Sequence, residues 1–542
     1  MKWGQSGVFL SGDGVLISEW EGEYLEKAGF LKADFLAIQQ LDKFRSIFDL
    51  VKENEEIELS LDEVPLDNRQ MYSLFKEGLN EDVFHFGSSG LKAYSQEIQP
   101  DNIEDLIAML ALFRPGAMDS GSHIEYVLLK HGKRQPTYDF GLKEVTKDTF
   151  GLLVYQEQVI KAVQVLGGLT ETEGDSVRRA IGKKIQSEMD QWKERFIEGA
   201  VHNGCPEKQA IEIWNKIEVF ANYSFNKSHA TAYAITGAIC QWLKIKYPIA
   251  FWTTAFHFAK DNSDTSRYIS EIKKINDKIK IIPPDINHSQ AGFSADYDKQ
   301  IIYWSLEKVT QVGDVAGSTV IAERERNGEF FSLEEFYKRV PKAKVKSNVL
   351  LNLILAGCFD QLHDINKPQD RMELIYEYEK LIKKKEDLQI DEMSLSEIKN
   401  KPIYWWTLKQ KELSGLGHID YKQLIKGSAM KGLVDLYIDP LTFFTDSIVE
   451  KFQSRSSVGV IAGVVQQVIE RDSKKGKFGQ VLLECNDELI YVTFWSEIWG
   501  SFAQEIKGSV KCICIVSGKV VDDKYKKTNV LQTVERTKAI IL

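Results

Sequence analysis

No run of the 542 residues approaches the ~18 apolar residues that a membrane span needs, and the start, MKWGQSG, has no apolar core of a signal peptide. Both absences point to a cytoplasmic protein. Cysteine is scarce and scattered: Cys205, Cys240, Cys358, Cys485, Cys512 and Cys514 form no CxxC pair. Reduced thiols follow, with no disulfide framework and no zinc site. Low-complexity tracts and long internal repeats are also missing. So is any excess of positive charge, since 69 Lys and Arg against 79 Asp and Glu leave a formal net charge of -10. That total excludes a mostly electrostatic nucleic-acid coat, but it leaves room for a basic channel within an acidic molecule. What remains is an ordinary soluble composition, 43% hydrophobic and 27% charged, in a chain long enough for roughly three or four domains.

The most informative stretch is ANYSFNKSHATAYAI, residues 221–235. It sets Tyr223, Asn226, Lys227, Ser228, His229 and Tyr233 in a short loop and the helix that follows. Ser228 is expected to cap that helix. Asn226, His229 and Tyr233 recur at helical spacing and share a face. A core helix has no use for an amide, an imidazole and a phenol beside a lysine. A site for a phosphorylated, base-bearing ligand does: lysine is a point charge for phosphate and tyrosine a stacking plane. A surface helix that is merely polar is the competing reading of this segment alone.

In chain order, residues 1–45 read as strands. GVFLSG and GVLISEW are β-prone runs separated by the turn signal Gly12-Asp13-Gly14. In AGFLKADFLAI, strand alternation puts Lys32 and Asp34 on one face, either a solvated ion pair or a metal-and-phosphate site. Residues 46–110 look helical and charged. DNIEDLIAMLALF is a periodic helix that Pro115 should stop, leaving Arg114 to aim into a cleft or to neutralise the helix C-terminus. Residues 150–260 are helical again, and SVRRAIGKK gathers Arg178, Arg179, Lys183 and Lys184 into a positive patch suited to phosphate.

Residues 261–365 begin with short strands, KIIPPDINHS and IIYWSLEKV, then give helices paired around Gly turns. Such turns can offer backbone N–H groups to DNA phosphates without reading sequence. Residues 366–430 hold a charged helix and a linker marked by Pro402 and Trp405-Trp406. Residues 455–542 turn β-rich, with five runs and a helical insert that suggest a Greek-key barrel of the OB type.

LKADFLAI, EDLIAMLALFRPGAM, GLLVYQEQVI, SVRRAIGKK, VFANYSFNKSHATAYA, LKIKYPIAFW, KIIPPDIN and VLLNLILAGCFD, in this order and spacing, resemble the bacterial DNA polymerase III alpha subunits, the C family of polymerases. The resemblance covers nearly the whole chain. It implies an α+β multidomain protein. Residues 1–45 would be the C-terminal part of a nucleotidyltransferase-like palm and 46–260 the large α-helical fingers. Residues 261–365 would be a helix-hairpin-helix region, 366–450 a helical connector and 451–542 an OB-fold.

The implied activity is template-directed DNA synthesis on primer-template DNA from dNTPs, with Mg2+ as cofactor. The resemblance makes Asp34 the third metal-binding aspartate and Lys32 a triphosphate contact. It places Arg114, Arg178, Arg179, Lys183, Lys184, Tyr223, Asn226, Lys227, Ser228 and His229 around the incoming nucleotide. In this family the other two aspartates form a D-x-D pair upstream, after a PHP domain, with the thumb between that pair and the third aspartate.

One carboxylate cannot hold two Mg2+ ions at the ~3.5–4 Å separation of two-metal catalysis. The expectation is therefore the C-terminal half of a split polymerase, as from a divided gene of a phage or mobile element, inactive without a second polypeptide. A non-catalytic, polymerase-derived DNA-binding or accessory protein is the alternative. A sliding clamp is a further partner of such enzymes, and Gln40-Leu41-Asp42-Lys43-Phe44 fits a clamp-binding pattern loosely. The family's first hairpin reads G-V-G-x-G, whereas this chain has Gln311-Val312-Gly313-Asp314-Val315, which should weaken close approach to phosphate.

Overall fold

The structure, a computed structural model, describes all residues except 1–6, 32–37, 184, 222–223, 383–388, 391–392, 417–418, 439–457, 486–487, 524–527 and 535–536. The chain divides into two compact units, residues 1–46 and 47–542. In the first, Val8–Leu10 and Leu16–Ser18 pair antiparallel around the expected glycine turn, with Gly14 at φ 79°. Gly22–Lys27 is a helix braced by a Glu23–Lys27 ion pair of 2.7 Å, and another helix starts at Gln39. Charge at i,i+4 spacing outweighs the local β-prone pattern. The Lys32–Asp34 segment lies outside the described residues. Gln40 to Phe44, the loose clamp-binding match, is helical.

The larger unit is helical up to Phe258, as expected, and the Asn262–Ile275 helix carries the helical part past the expected boundary at residue 260. Pro115 stops the Ile103–Leu112 helix, but it also opens the next, Pro115–Asp119, where its missing N–H costs nothing. The Lys227–Lys246 helix runs through the middle, packed against Arg69–Glu77, Ile103–Leu112 and Pro248–Phe258. Its cap is Asn226, not Ser228: the Asn226 backbone is extended, and its Oδ1 accepts from His229 N at 2.7 Å. Ser228 lies one residue inside the helix, too late to reach those orphan N–H groups.

Near the other end of this helix Lys244 is wholly buried, with Nζ 2.6 Å from Glu271 in the Asn262–Ile275 helix. It also donates to the carbonyls of Glu81, at 2.7 Å, and Leu79, at 3.2 Å. Glu271 accepts from the Glu81 N–H at 3.0 Å. The loop after Leu79 is thereby fastened to two helices. Gly237 lets it lie close, since a Cβ there would come within 2.6 Å of the Phe86 ring.

Three short strands follow, with Ile301–Tyr303 between Lys280–Ile282 (parallel) and Ser294–Asp296 (antiparallel). Helices Gly313–Asn327, Leu333–Arg339 and Ser347–Leu355 then bury Val320, Leu333, Phe336, Leu353 and Phe359 in one core. Tyr378 and Trp406 belong to the same core. The expected linker at Pro402 and Trp405-Trp406 is thus a packed helix, Ile403–Ser414, with Trp406 1% exposed. Pro402 precedes its first turn, where proline starts a helix as readily as it marks a linker.

In the hairpin, Gln311 has φ 67° and Gly313 φ 60°, so the backbone keeps a left-handed shape without a glycine at 311. A side chain there is strained. Gln311→Gly is expected to stabilise the protein by about 0.5–1 kcal/mol, read as a rise in the urea midpoint at constant m. A fall would mean that the Asn348–Gln311 hydrogen bond of 2.6 Å outweighs the strain.

The last region is the expected barrel. Thr528–Gln532, Glu488–Phe494, Gly476–Cys485, Gly459–Ser473 and Ile513–Asp523 close on themselves, and Ala539–Ile541 adds alongside Ile513–Asp523. The insert Ser496–Lys507 places Trp499 against Gly479, where no larger residue would fit. One barrel carboxylate, Glu484, is fully buried. It accepts from Ser266 Oγ at 2.6 Å and pairs with Lys411 Nζ at 2.6 Å, joining the barrel to the Asn262–Ile275 and Ile403–Ser414 helices. All six cysteines are free thiols, as expected. Among the described residues no helix is long and apolar enough to cross a membrane.

Candidate functional site

The segment Ser224 to His229 is held at the N-terminus of the Lys227–Lys246 helix by a short parallel bridge to residues 154–156. Gln156 N donates to Phe225 O at 2.8 Å and Phe225 N to Val154 O at 3.3 Å. Glu157 caps the arrangement, its carboxylate accepting from Lys227 N at 2.9 Å and Asn226 Nδ2 at 3.0 Å. An anion at a helix N-terminus is favourable, and here the protein supplies its own. Asn226 therefore spends its carbonyl on the cap and its amide on Glu157. Lys227, Ser228 and His229 are left facing outward, and the last two are exposed.

Cations converge on this end. The Arg114 guanidinium lies 4.1 Å from the Phe225 ring centroid, while its Nε donates to Ala111 O at 2.9 Å. Arg114 thus satisfies the end of one helix and reaches the loop of another. Partial burial lowers its guanidinium below the ordinary value. Lys227 Nζ sits 5.3 Å over the Tyr155 ring and 3.0 Å from Glu104.

The Gln156–Val165 and Glu171–Lys183 helices form a hairpin in which a Cβ on Gly174 would meet Ile160 and Val163. Antiparallel pairing turns the Arg178 end of the second helix back toward the Gln156 end of the first. Arg178 and Arg179 share Asp175, at 2.9 and 3.1 Å. The structure thus brings Arg114, Lys227, Ser228 and His229 to one helix end and sets Arg178 and Arg179 side by side on the adjoining hairpin. Lys32, Asp34, Lys184 and Tyr223 lie outside the described residues, as does the side chain of Lys183.

Sequence reasoning missed part of a row of rings at this helix end. His229 lies 4.1 Å from Tyr233 between centroids, and Tyr233 lies 4.5 Å from His85 and 5.1 Å from Phe84. Phe225 joins at the other end, 5.6 Å from His229. His229 and Tyr233 were signalled by their spacing. His85 and Phe84 are remote in sequence and carry no local signal. Burial, and then the nearby His229, lower the His85 imidazole below its ordinary value.

No group of three or more His, Cys, Asp or Glu residues suited to a metal ion occurs among the described residues. The one residue that the resemblance assigns to Mg2+, Asp34, is not among them.

Residues 40–204 match the model of the bacterial DNA polymerase III alpha subunit finger domain, and residues 278–369 match a helix-hairpin-helix motif. Among curated proteins, the DNA polymerase III subunit alpha of Rickettsia bellii is 31% identical over 94% of this chain and 46% of its own length. That of Aquifex aeolicus is 35% identical over 65% of this chain and 30% of its own length. The subunit from Pseudomonas aeruginosa is 29% identical, again over 94% of this chain and 46% of its own length. The chain spans about half the length of the relatives it matches most fully. The motifs, the finger-domain match and these relatives place the chain in the family of bacterial DNA polymerase III alpha subunits.

Proposed function

We propose that these 542 residues form the nucleotide-binding fingers and the DNA-binding parts of a template-directed DNA polymerase. The carrying observation is Arg114 and Lys227 at one helix N-terminus, with Arg178 and Arg179 on the adjoining helical hairpin and a row of rings of which His229 and His85 are exposed and Phe225 and Tyr233 half-buried. In this reading the cations hold the triphosphate of an incoming dNTP, displacing Asp175 and Glu104 from their present partners. Ser228 and His229 donate to the same phosphates, and the helix-hairpin-helix turns and the barrel hold DNA. On the barrel, Phe478 and Trp495 lie 5.5 Å apart, with Trp495 38% exposed, a platform for unpaired bases.

Two Mg2+ ions would be shared by Asp34 and a D-x-D pair, activating the primer 3′-hydroxyl and stabilising the leaving pyrophosphate. The pair, the thumb and the PHP domain would come from polypeptide outside these 542 residues, on a second chain in the split arrangement. The hairpin Val8–Leu10 and Leu16–Ser18 supports such a complement. Leu10 is 65% and Leu16 66% exposed, and two strands alone make a marginal sheet.

The test is primer extension by the chain combined with a polypeptide carrying the paired aspartates and thumb. Arg179→Ala with Lys183→Ala is expected to raise the KM for dNTP about tenfold or more at nearly constant kcat. An unchanged KM would return those cations to a solvated face. A non-catalytic DNA-binding protein is the second reading, favoured by one observation: Arg178, Arg179 and Lys227 each already have a carboxylate partner. Binding of primer-template with no extension by the combined chains would select it.

A further inference from the structure

Two non-glycine residues in the loop after Leu79, Asp82 at φ 53° and His85 at φ 62°, hold left-handed backbone. Each costs stability and persists only where surrounding structure enforces it. Here the enforcement is visible. Lys244 and Glu271 grip the loop at Leu79 and Glu81, Tyr268 Oη donates to Asp82 at 3.0 Å, and Phe86 is buried against Gly237. The result is an outward turn that exposes His85 and leaves Phe84 half-buried.

The His85 ring does not fill a core. It lies 4.5 Å from Tyr233 at an interplanar angle of 40°, continuing the row of Phe225, His229 and Tyr233 along the helix. From Lys227 to Tyr233 is six residues, a rise of ~9 Å along the axis. That is comparable to the reach of a nucleotide from its phosphates to its base. The cations stand at one end of the row and the neutral rings at the other.

We propose that His85, with Tyr233, forms the base-stacking end of the nucleotide site and helps to set affinity for the nucleobase. This rests on the nucleotide-binding reading above and adds to it a residue from a separate loop. Stacking on neutral rings tolerates any base, since each has a π-face, so the contribution is to affinity and orientation rather than to base identity.

The experiment measures binding of dATP and of inorganic tripolyphosphate, with magnesium, to the full chain. His85→Gly removes the ring while suiting the left-handed backbone, so the loop should keep its shape. Tyr233→Leu keeps apolar bulk without the plane. Each is expected to weaken dATP about 5- to 100-fold and to leave tripolyphosphate unchanged. Unchanged dATP binding in both variants would overturn the proposal. So would an equal loss for both ligands, which would show a structural role, or wild-type binding of dATP no tighter than tripolyphosphate. Lys227→Ala separates the two readings. If it and Arg179→Ala leave both ligands unaffected, the phosphate site is misplaced and the nucleotide reading fails with it.

Discussion

Replacing Lys244 with methionine is expected to cost about 3–5 kcal/mol of stability, the largest structural effect of any change considered for this protein. The ammonium is fully buried and meets Glu271 at 2.6 Å, with Trp252 and Phe251 flanking it at 5.1 and 5.3 Å. Methionine fills much of the volume but leaves the Glu271 carboxylate in the interior, still accepting from the Glu81 N–H but stripped of the Lys244 charge. It also strips the Leu79 and Glu81 carbonyls of a donor. Removing one member of a buried pair is far more damaging than removing both, because the uncompensated charge remains. Lys244→Met combined with Glu271→Leu should therefore recover a large part of the loss. Urea titrations of the two variants check this. A single-variant cost below about 1 kcal/mol would mean that water reaches the pair and that it does not hold the loop.

Asp34→Asn should lower DNA synthesis by the assembled enzyme by on the order of a thousandfold and leave primer-template affinity within about twofold. The amide keeps the size of the carboxylate but removes the charge that a metal-dependent transfer needs. In the proposed function DNA is held elsewhere, by the helix-hairpin-helix turns and the barrel, so binding and chemistry should separate. Parallel measurement of extension rate and of primer-template binding decides the point. Full activity in the variant would remove Asp34 from the metal site. Equal loss of binding would make the residue structural.

Much of the architecture could be read from the chain because its signals are local. Helical periodicity from 46 to 260, the strand-rich tail and the glycine turn at residues 12–14 each depend on neighbours a few positions apart. Errors arose where a local signal has two uses. Pro402 marks a linker or a helix start, and Ser228 caps a helix only if Asn226 does not. The site was half legible. Its cations and His229 announce themselves within single motifs. The placement of His85 against Tyr233, or of Glu157 on the Asn226 cap, depends on chain segments brought together only by packing. Lys244 looks like one more surface lysine in LKIKYPIAFW. Nothing nearby in sequence discloses that Glu271 neutralises it.

Glu484 bears on where this protein could be cut. A fragment holding only the barrel strands would leave behind Ser266 and Lys411, both partners of a carboxylate with no exposure to water. Within the barrel that carboxylate would keep the Gln466 amide as a donor but lose the Lys411 cation and the Ser266 hydroxyl that complete its shell. The natural seam is therefore not the composition shift near residue 455. A self-sufficient piece would have to keep the helices at 262–275 and 403–414 with the barrel, which makes the C-terminal module larger than its fold name suggests.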